Sequence, residues 1–337
     1  MKLNKKTMLY ILLIFLVIFL LWYLKFAKHY PSNINLNNTK EDYWAVTFSK
    51  KLCGEIGLDW KEVYGAMLDD LNVKYIRIPI YWDDIEAEKG KYDFSDYDYI
   101  FDEGKKRGVK FVANIGWRLP RWPECHAPSW AYSMGVEDIK NQTLIMIDHV
   151  VSEYRDRDEI VMWQVENEPL LNTFGICPDG DEAFLRREVK LVKELDKRPI
   201  LITASGELSS WRREWDIGDK FGTTMYRVVW NPIFGYFRYP IPAGFYKFKA
   251  SFLKLHPENM IISELQAEPW VPNGTLKDLK PNESNKSFNL QQFKANLQYA
   301  INSDLNQCYL WGVEWWYLHK LNGNPEYWNL AKSLFNK

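Results

Sequence analysis

Two patterns of apolar and polar positions divide the chain. From Met8 to Leu24 the run MLYILLIFLVIFLLWYL carries no charge. From Tyr43 onward, short β-branched or aromatic runs alternate with longer amphipathic ones. WAVTF (Trp44–Phe48) precedes WKEVYGAMLDDLN, YIRIPIYW (Tyr75–Trp82) precedes DFSDYDYIFDEGKKRG, and KFVANIGW (Lys110–Trp117) precedes NQTLIMIDHVVSEYRD. IVMWQVENEP (Ile160–Pro169) precedes DEAFLRREVKLVKELD, and PILITASGE (Pro199–Glu207) precedes SSWRREWD. FGTTMYRVVW (Phe221–Trp230) leads through a Tyr/Phe/Pro loop to YKFKASFLKLH. NMIISELQAEPW (Asn259–Trp270) precedes NLQQFKANLQYAINSD, and QCYLWGVEWW (Gln307–Trp316) precedes NPEYWNLAKSLF. The short runs are nearly continuous in apolar residues, as in parallel strands covered on both faces. The longer runs place apolar residues on one helical face, as Phe184, Val189 and Val192 do.

Eight strand-then-helix units predict right-handed crossovers and a parallel sheet closed into a (β/α)8 TIM barrel. Neither G-x-G-x-x-G nor G-x-x-x-x-G-K follows the first strand, which weighs against a nucleotide-binding sheet. The expected organisation is residues 1–28 as a cytoplasmic stub and signal-anchor transmembrane helix, 29–42 as a linker, and 43–337 as the barrel.

The seventeen residues from Met8 to Leu24 are at the short end for a membrane span, with Trp22 and Tyr23 suited to the interface. Lys25 and Lys28 follow in place of a small-residue cleavage site. Lys2, Lys5, Lys6 and the amino terminus outweigh them, so the expected orientation puts the catalytic part outside the cytoplasm. A cleaved, secreted form is the alternative. The net charge of −1 gives no basic field for nucleic acid.

Composition adds one clue. Phe, Trp and Tyr make up 16% of the chain, with 16 Trp. Many sit beside Pro, Gly, Asn or charged residues at the ends of apolar runs, where flat amphipathic rings suit a sugar-binding cleft. Four cysteines without C-x-x-C spacing or a His cluster point to no zinc site, and no cofactor is expected.

In such a barrel the C-terminal strand ends carry the chemistry. The second strand holds Arg77, costly in an apolar run unless paired. The fourth ends in Glu166-Asn167-Glu168-Pro169, the sixth carries Tyr226, and the seventh carries Glu264, with Glu268 four residues on. The eighth carries Trp311, Glu314, Trp315 and Trp316. Glutamates from strands four and seven would face each other, as two-carboxylate glycoside cleavage requires.

These motifs resemble the retaining glycoside hydrolases of clan A, including cellulase-like family 5 and β-galactosidase-like family 42. The resemblance covers everything after the linker. It implies Glu168 as general acid/base and Glu264 as nucleophile. Asn167 would bond the sugar 2-hydroxyl, and Tyr226 and Arg77 would keep Glu264 ionised. Trp311 or Trp315 would floor the subsite of the attacked sugar. Glu166 reads as a supporting carboxylate, and Glu268 as a loop residue. The chain departs from the cellulase-like pattern at Leu265-Gln266, where Gly is usual two residues past the nucleophile. The loop WRLPRWPECHAPSW, with Trp117, Arg118, Trp122 and His126, is expected to set specificity. Cys125 and Cys177 follow neighbouring strands three and four, and a disulfide between them is expected to fix two cleft walls. The expected substrate is an oligo- or polysaccharide with β-links. Transglycosylation and sugar binding without turnover are the alternatives on the same fold.

Overall fold

The structure, a computed structural model, describes residues 4–27, 34–35 and 39–336. Most of the expected linker lies outside them. Ten strands are present: β1 Trp44–Thr47, β2 Tyr75–Pro79, β3 Lys110–Ile115, β4 Ile160–Val165, β5 Ile200–Ala204, β6 Lys220–Met225, β7 Val228–Asn231, β8 Gly235–Arg238, β9 Met260–Gln266 and β10 Cys308–Trp311. Eight of them close a barrel in the order β1-β10-β9-β6-β5-β4-β3-β2, every pair parallel. Helices of the outer ring include Ser95–Lys106, Val136–Tyr154, Glu182–Leu195 and Leu290–Ser303.

Three elements differ from expectation. The sixth run does not continue to Trp230. It breaks after Met225, and β7 pairs antiparallel with β8 as a separate hairpin. The segment SSWRREWD forms turns rather than a helix, organised around the buried Trp211, whose indole N–H donates to Ser205 O at 2.9 Å. The eighth strand stops at Trp311. Gly312, at φ 141°, starts the helix Val313–Leu321. A side chain there would meet Ala267 O at 2.7 Å, so only glycine makes this turn.

The apolar N-terminal run forms the helix Lys5–Ala27. Among the described residues no helix is long and apolar enough to cross a membrane, and the transmembrane expectation gains no support from the structure.

Inside the barrel, alternate residues of each strand stack in layers. Ala45, Val112, Leu201, Ile261 and Tyr309, with Tyr75 and Met162 against them, make an apolar floor. Two positions further along the same strands come Thr47, Arg77, Asn114, Gln164, Thr203, Ser263 and Trp311. The interior therefore changes from apolar to polar over one layer, toward the C-terminal mouth.

Candidate active site

Arg77 is fully buried at the centre of the polar layer. A buried guanidinium persists only when its donors are used. Its Nε donates to Gln164 Oε1 at 2.6 Å, Nη2 to Asn167 Oδ1 at 2.6 Å, and Nη1 to Glu264 Oε1 at 3.0 Å. One side chain thus ties the end of β4 to β9. The other oxygen of Glu264 accepts from the Tyr226 hydroxyl at 2.9 Å. Each oxygen of Glu264 thus has its own donor.

Strict alternation would not bring Glu264 inward, because Ile261 and Ser263 already occupy the interior positions of β9. The register of β9 shifts against both neighbours, between Thr223 and Thr224 on β6 and between Cys308 and Leu310 on β10. This bulge inserts one residue and resets the alternation, aiming Glu264 into the mouth. Gln266 follows. Its Oε1 accepts from the N–H groups of Arg227 and Val228 at 2.8 and 2.9 Å, and its Nε2 donates to Val228 O at 2.7 Å. Gln266 therefore holds the segment that presents Tyr226.

At the end of β4 the backbone leaves ordinary geometry. Glu166 and Glu168 have φ of 59° and 45°, conformations that non-glycine residues hold only under surrounding constraint. Those constraints are visible. Glu166 accepts from the N–H groups of Trp117 and Arg118 at 2.7 and 2.5 Å, and Asn167 N–H donates to Arg118 O at 2.7 Å. Gly116, at φ 133°, leaves the space into which Glu166 packs; an added Cβ would lie 2.4 Å from Oε1. Burial, then the charge of Glu166, raises the proton affinity of Glu188, buried in the following helix, well above the ordinary carboxylate range.

Glu168 has different surroundings. Its N–H donates to Thr203 Oγ1 at 3.0 Å, and one carboxyl oxygen accepts from the Thr224 hydroxyl at 3.2 Å. Burial, then the charges of Glu264 and Glu124 and, more weakly, Glu207, push its proton affinity well above the ordinary carboxylate range, against the opposing pull of Arg118. Glu168 therefore holds a proton more tightly than an ordinary carboxylate does.

The rim carries two further ionic clusters. Arg121 donates to Glu268, and at 3.1 Å to Glu314, with its guanidinium 3.9 Å from the centre of the Trp311 ring. Arg118 donates to Glu124 at 3.2 Å and to the carbonyls of Leu171 and Phe174 at 2.6 and 2.8 Å. Burial raises Glu268 and Glu124 to about 7 against their arginine partners. Cys125 and Cys177 form a disulfide, Cα–Cα 5.4 Å, between the loops after β3 and β4.

The structure thus gathers Arg77, Asn167, Glu168, Tyr226, Glu264 and Trp311 at the mouth. Two expected residues do not join them. Trp315 lies in the helix Val313–Leu321, buried against Phe288, His319 and Tyr327, because the strand ends early at Gly312. His126 is buried against the Tyr81 ring, with Nε2 3.1 Å from Arg121 O. Burial drives its pKa down to about 3, so it is a neutral prop for the Arg121 loop. Trp122 stands at the rim with 61% of its surface exposed.

Sequence reasoning missed Glu207 and Arg121. Glu207 accepts from Tyr226 N–H at 3.0 Å and from the Tyr246 hydroxyl at 2.8 Å, and burial raises it to about 7. Its position three residues past β5 was a usable signal, since Glu166, Glu168 and Glu268 also follow strand ends. Among the described residues no group of His, Cys, Asp and Glu is arranged to hold a metal ion.

No family model matches the sequence, and no curated protein matches it. Solved structures do. Xylanase 10B from Thermotoga maritima is similar with a TM-score of 0.54 and 13% identity, over 80% of this chain and 83% of the xylanase. GH5_18 from Streptomyces cattleya in complex with GlcNAc gives 0.55 and 11%, over 81% and 71%. A β-galactosidase from Bacillus circulans sp. alkalophilus gives 0.53 and 12%, over 81% of this chain and 50% of that one. At such identities the likeness shows the fold, an eight-stranded parallel barrel shared with glycoside hydrolases.

Proposed function

We propose that the chain is a retaining glycoside hydrolase acting on a β-linked O-glycoside. The observation that carries this reading is the unequal treatment of two facing glutamates. Glu264 has a donor on each oxygen, while Glu168 is buried among carboxylates and raised. Pairs pushed apart in this way divide into acid and nucleophile. The names of the solved neighbours on the same barrel support the reaction class.

In the first step Glu264 attacks the anomeric carbon while Glu168 gives its proton to the leaving oxygen. The glycosidic C–O bond breaks, and a glycosyl ester forms on Glu264. In the second step Glu168, now a carboxylate, takes a proton from water, whose oxygen displaces Glu264. Asn167 has its oxygen bound to Arg77, which leaves its amide N–H groups for the sugar 2-hydroxyl. The proton released onto Glu168 stays near the mouth, since the apolar floor offers no exit.

Proton NMR of the first-formed product tests the mechanism. The expected product keeps the anomeric configuration of the substrate, and an inverted product would refute the assignment of Glu264. Carboxyl oxygens about 5–5.5 Å apart in a crystal structure agree with retention, and ~6.5–9.5 Å with inversion.

The charge-free run from Met8 to Leu24, flanked by lysines, supports a second proposal. It is a signal anchor that leaves the barrel outside the cytoplasm. The disulfide fits an oxidising compartment. Alkaline extraction of membranes should leave the chain in the pellet; release to the supernatant overturns the anchor.

A further inference from the structure

The loops after β3 and β4 do more than close the mouth. They hold two large apolar rings in solvent. Trp122 is 61% exposed and Phe174 39% exposed, and their centroids are 6.1 Å apart. Phe174 is 5.8 Å from Trp270, in the loop after β9, and Trp270 is 5.8 Å from Tyr226, whose hydroxyl bonds Glu264. A continuous path of four rings therefore runs from the outer rim to the catalytic carboxylate.

The rings are fixed from below. Ile176 N–H donates to Pro123 O at 2.9 Å, joining the two loops. Arg118 donates to the carbonyl of Phe174 itself at 2.8 Å. The disulfide joins Cys125, three residues past Trp122, to Cys177, three past Phe174. Gly175, at φ 82°, allows the loops to touch, since a Cβ there would lie 2.8 Å from Glu124 Cγ. Trp270 is held by its N–H donating to Ser287 Oγ at 2.9 Å. Mobile rim loops would carry such rings at a cost in solvent exposure and gain nothing. Rings fixed in advance bind a flat apolar face with little further loss of entropy.

We propose that the exposed face of Trp122, backed by Phe174 at an interplanar angle of 78°, forms a stacking subsite for a sugar ring of the substrate other than the one attacked, and that the Cys125–Cys177 bridge positions it. The C–H face of a pyranose matches an aromatic face, and the ring path places this contact next to the reacting sugar. The inference rests on the hydrolase reading above. It makes the enzyme selective for chain length: substrates of two or more sugars use the platform, and a simple aryl glycoside of one sugar does not reach it.

The test uses the full chain, with Trp122→Ala, Phe174→Ala and the double variant Cys125→Ser/Cys177→Ser. For each, kcat/KM is measured on an aryl β-glycoside and on β-linked oligosaccharides of two to five sugars. The wild type should prefer the longer substrates by at least ten times over the aryl glycoside. Trp122→Ala should lose about ten times more on the oligosaccharides than on the aryl glycoside, mainly through KM. The double serine variant should shift in the same direction. An unchanged ratio in Trp122→Ala and Phe174→Ala overturns the subsite, even if the disulfide variant fails to fold. A wild type inert on every glycoside refutes the hydrolase reading instead. In that case titration of tryptophan fluorescence with the same oligosaccharides decides the subsite: saturable quenching abolished by Trp122→Ala supports it, and no quenching in the wild type overturns it.

Discussion

Two strand ends of this barrel carry the same residue type to opposite effect. On the β9 side, Glu264 meets a guanidinium and a phenol. On the β4 side, Glu168 meets a threonine hydroxyl and a crowd of like charges. Nothing intrinsic to glutamate separates them. Their neighbours do, and one of those neighbours, Arg77, also binds Asn167 beside Glu168. The asymmetry is therefore built by burial and like charges around Glu168, set against the two donors that serve Glu264.

The comparison breaks most completely if Glu264 is removed. Glu264→Ala should cost several orders of magnitude in kcat on an activated aryl glycoside, and adding Glu168→Gln should cost far less than the product of the two single losses. Arg77→Leu should come next. It leaves Glu264 and Asn167 without their shared donor, and breaking a buried pair costs about 3–5 kcal/mol. Urea unfolding should show that loss, together with loss of activity. Tyr226→Phe is milder. It removes one hydrogen bond to a charged group, worth roughly 1.5–3 kcal/mol, so urea unfolding should show a loss of about that size and kcat/KM should fall roughly ten- to hundredfold.

The smallest effect is a displacement along the pH axis. In the proposed mechanism Glu168 must be protonated, so activity should fall as pH rises through its pKa. Glu207, when ionised, helps keep that pKa high. In Glu207→Gln the proton leaves more easily, and the basic limb of the kcat/KM profile should move to lower pH. A limb that stays in place or moves up would show that Glu207 acts only by holding Tyr226.

Much of this was legible in the sequence, because it depended on period and position. Apolar runs gave the strands, and counting them gave Glu168 and Glu264 their places in the barrel. Arg77 announced itself as a charge no apolar strand would keep unpaired. What escaped depended on local departures from period. The bulge at Ser263 carries no sequence mark, yet it decides that Glu264 faces inward. Trp315 was misplaced because Gly312 ends β10 inside a run that reads as continuous strand. His126 looked available in a polar loop, but its loop folds back on Tyr81. The hairpin of β7 and β8 was hidden because aromatic and proline-rich sequence reads as irregular. Glu207 escaped for a simpler reason: no partner on another strand drew attention to it.

The apolar floor under Arg77 has an electrical meaning as well as a packing one. It is a layer of low polarisability between the charged groups of the mouth and the opposite end of the barrel. Field lines from those groups spread little downward and emerge through the mouth. A charge added or removed at the rim is therefore felt at the reacting carboxylates with little solvent screening from beneath. Charge changes in the rim loops should therefore shift the proton affinity of Glu168.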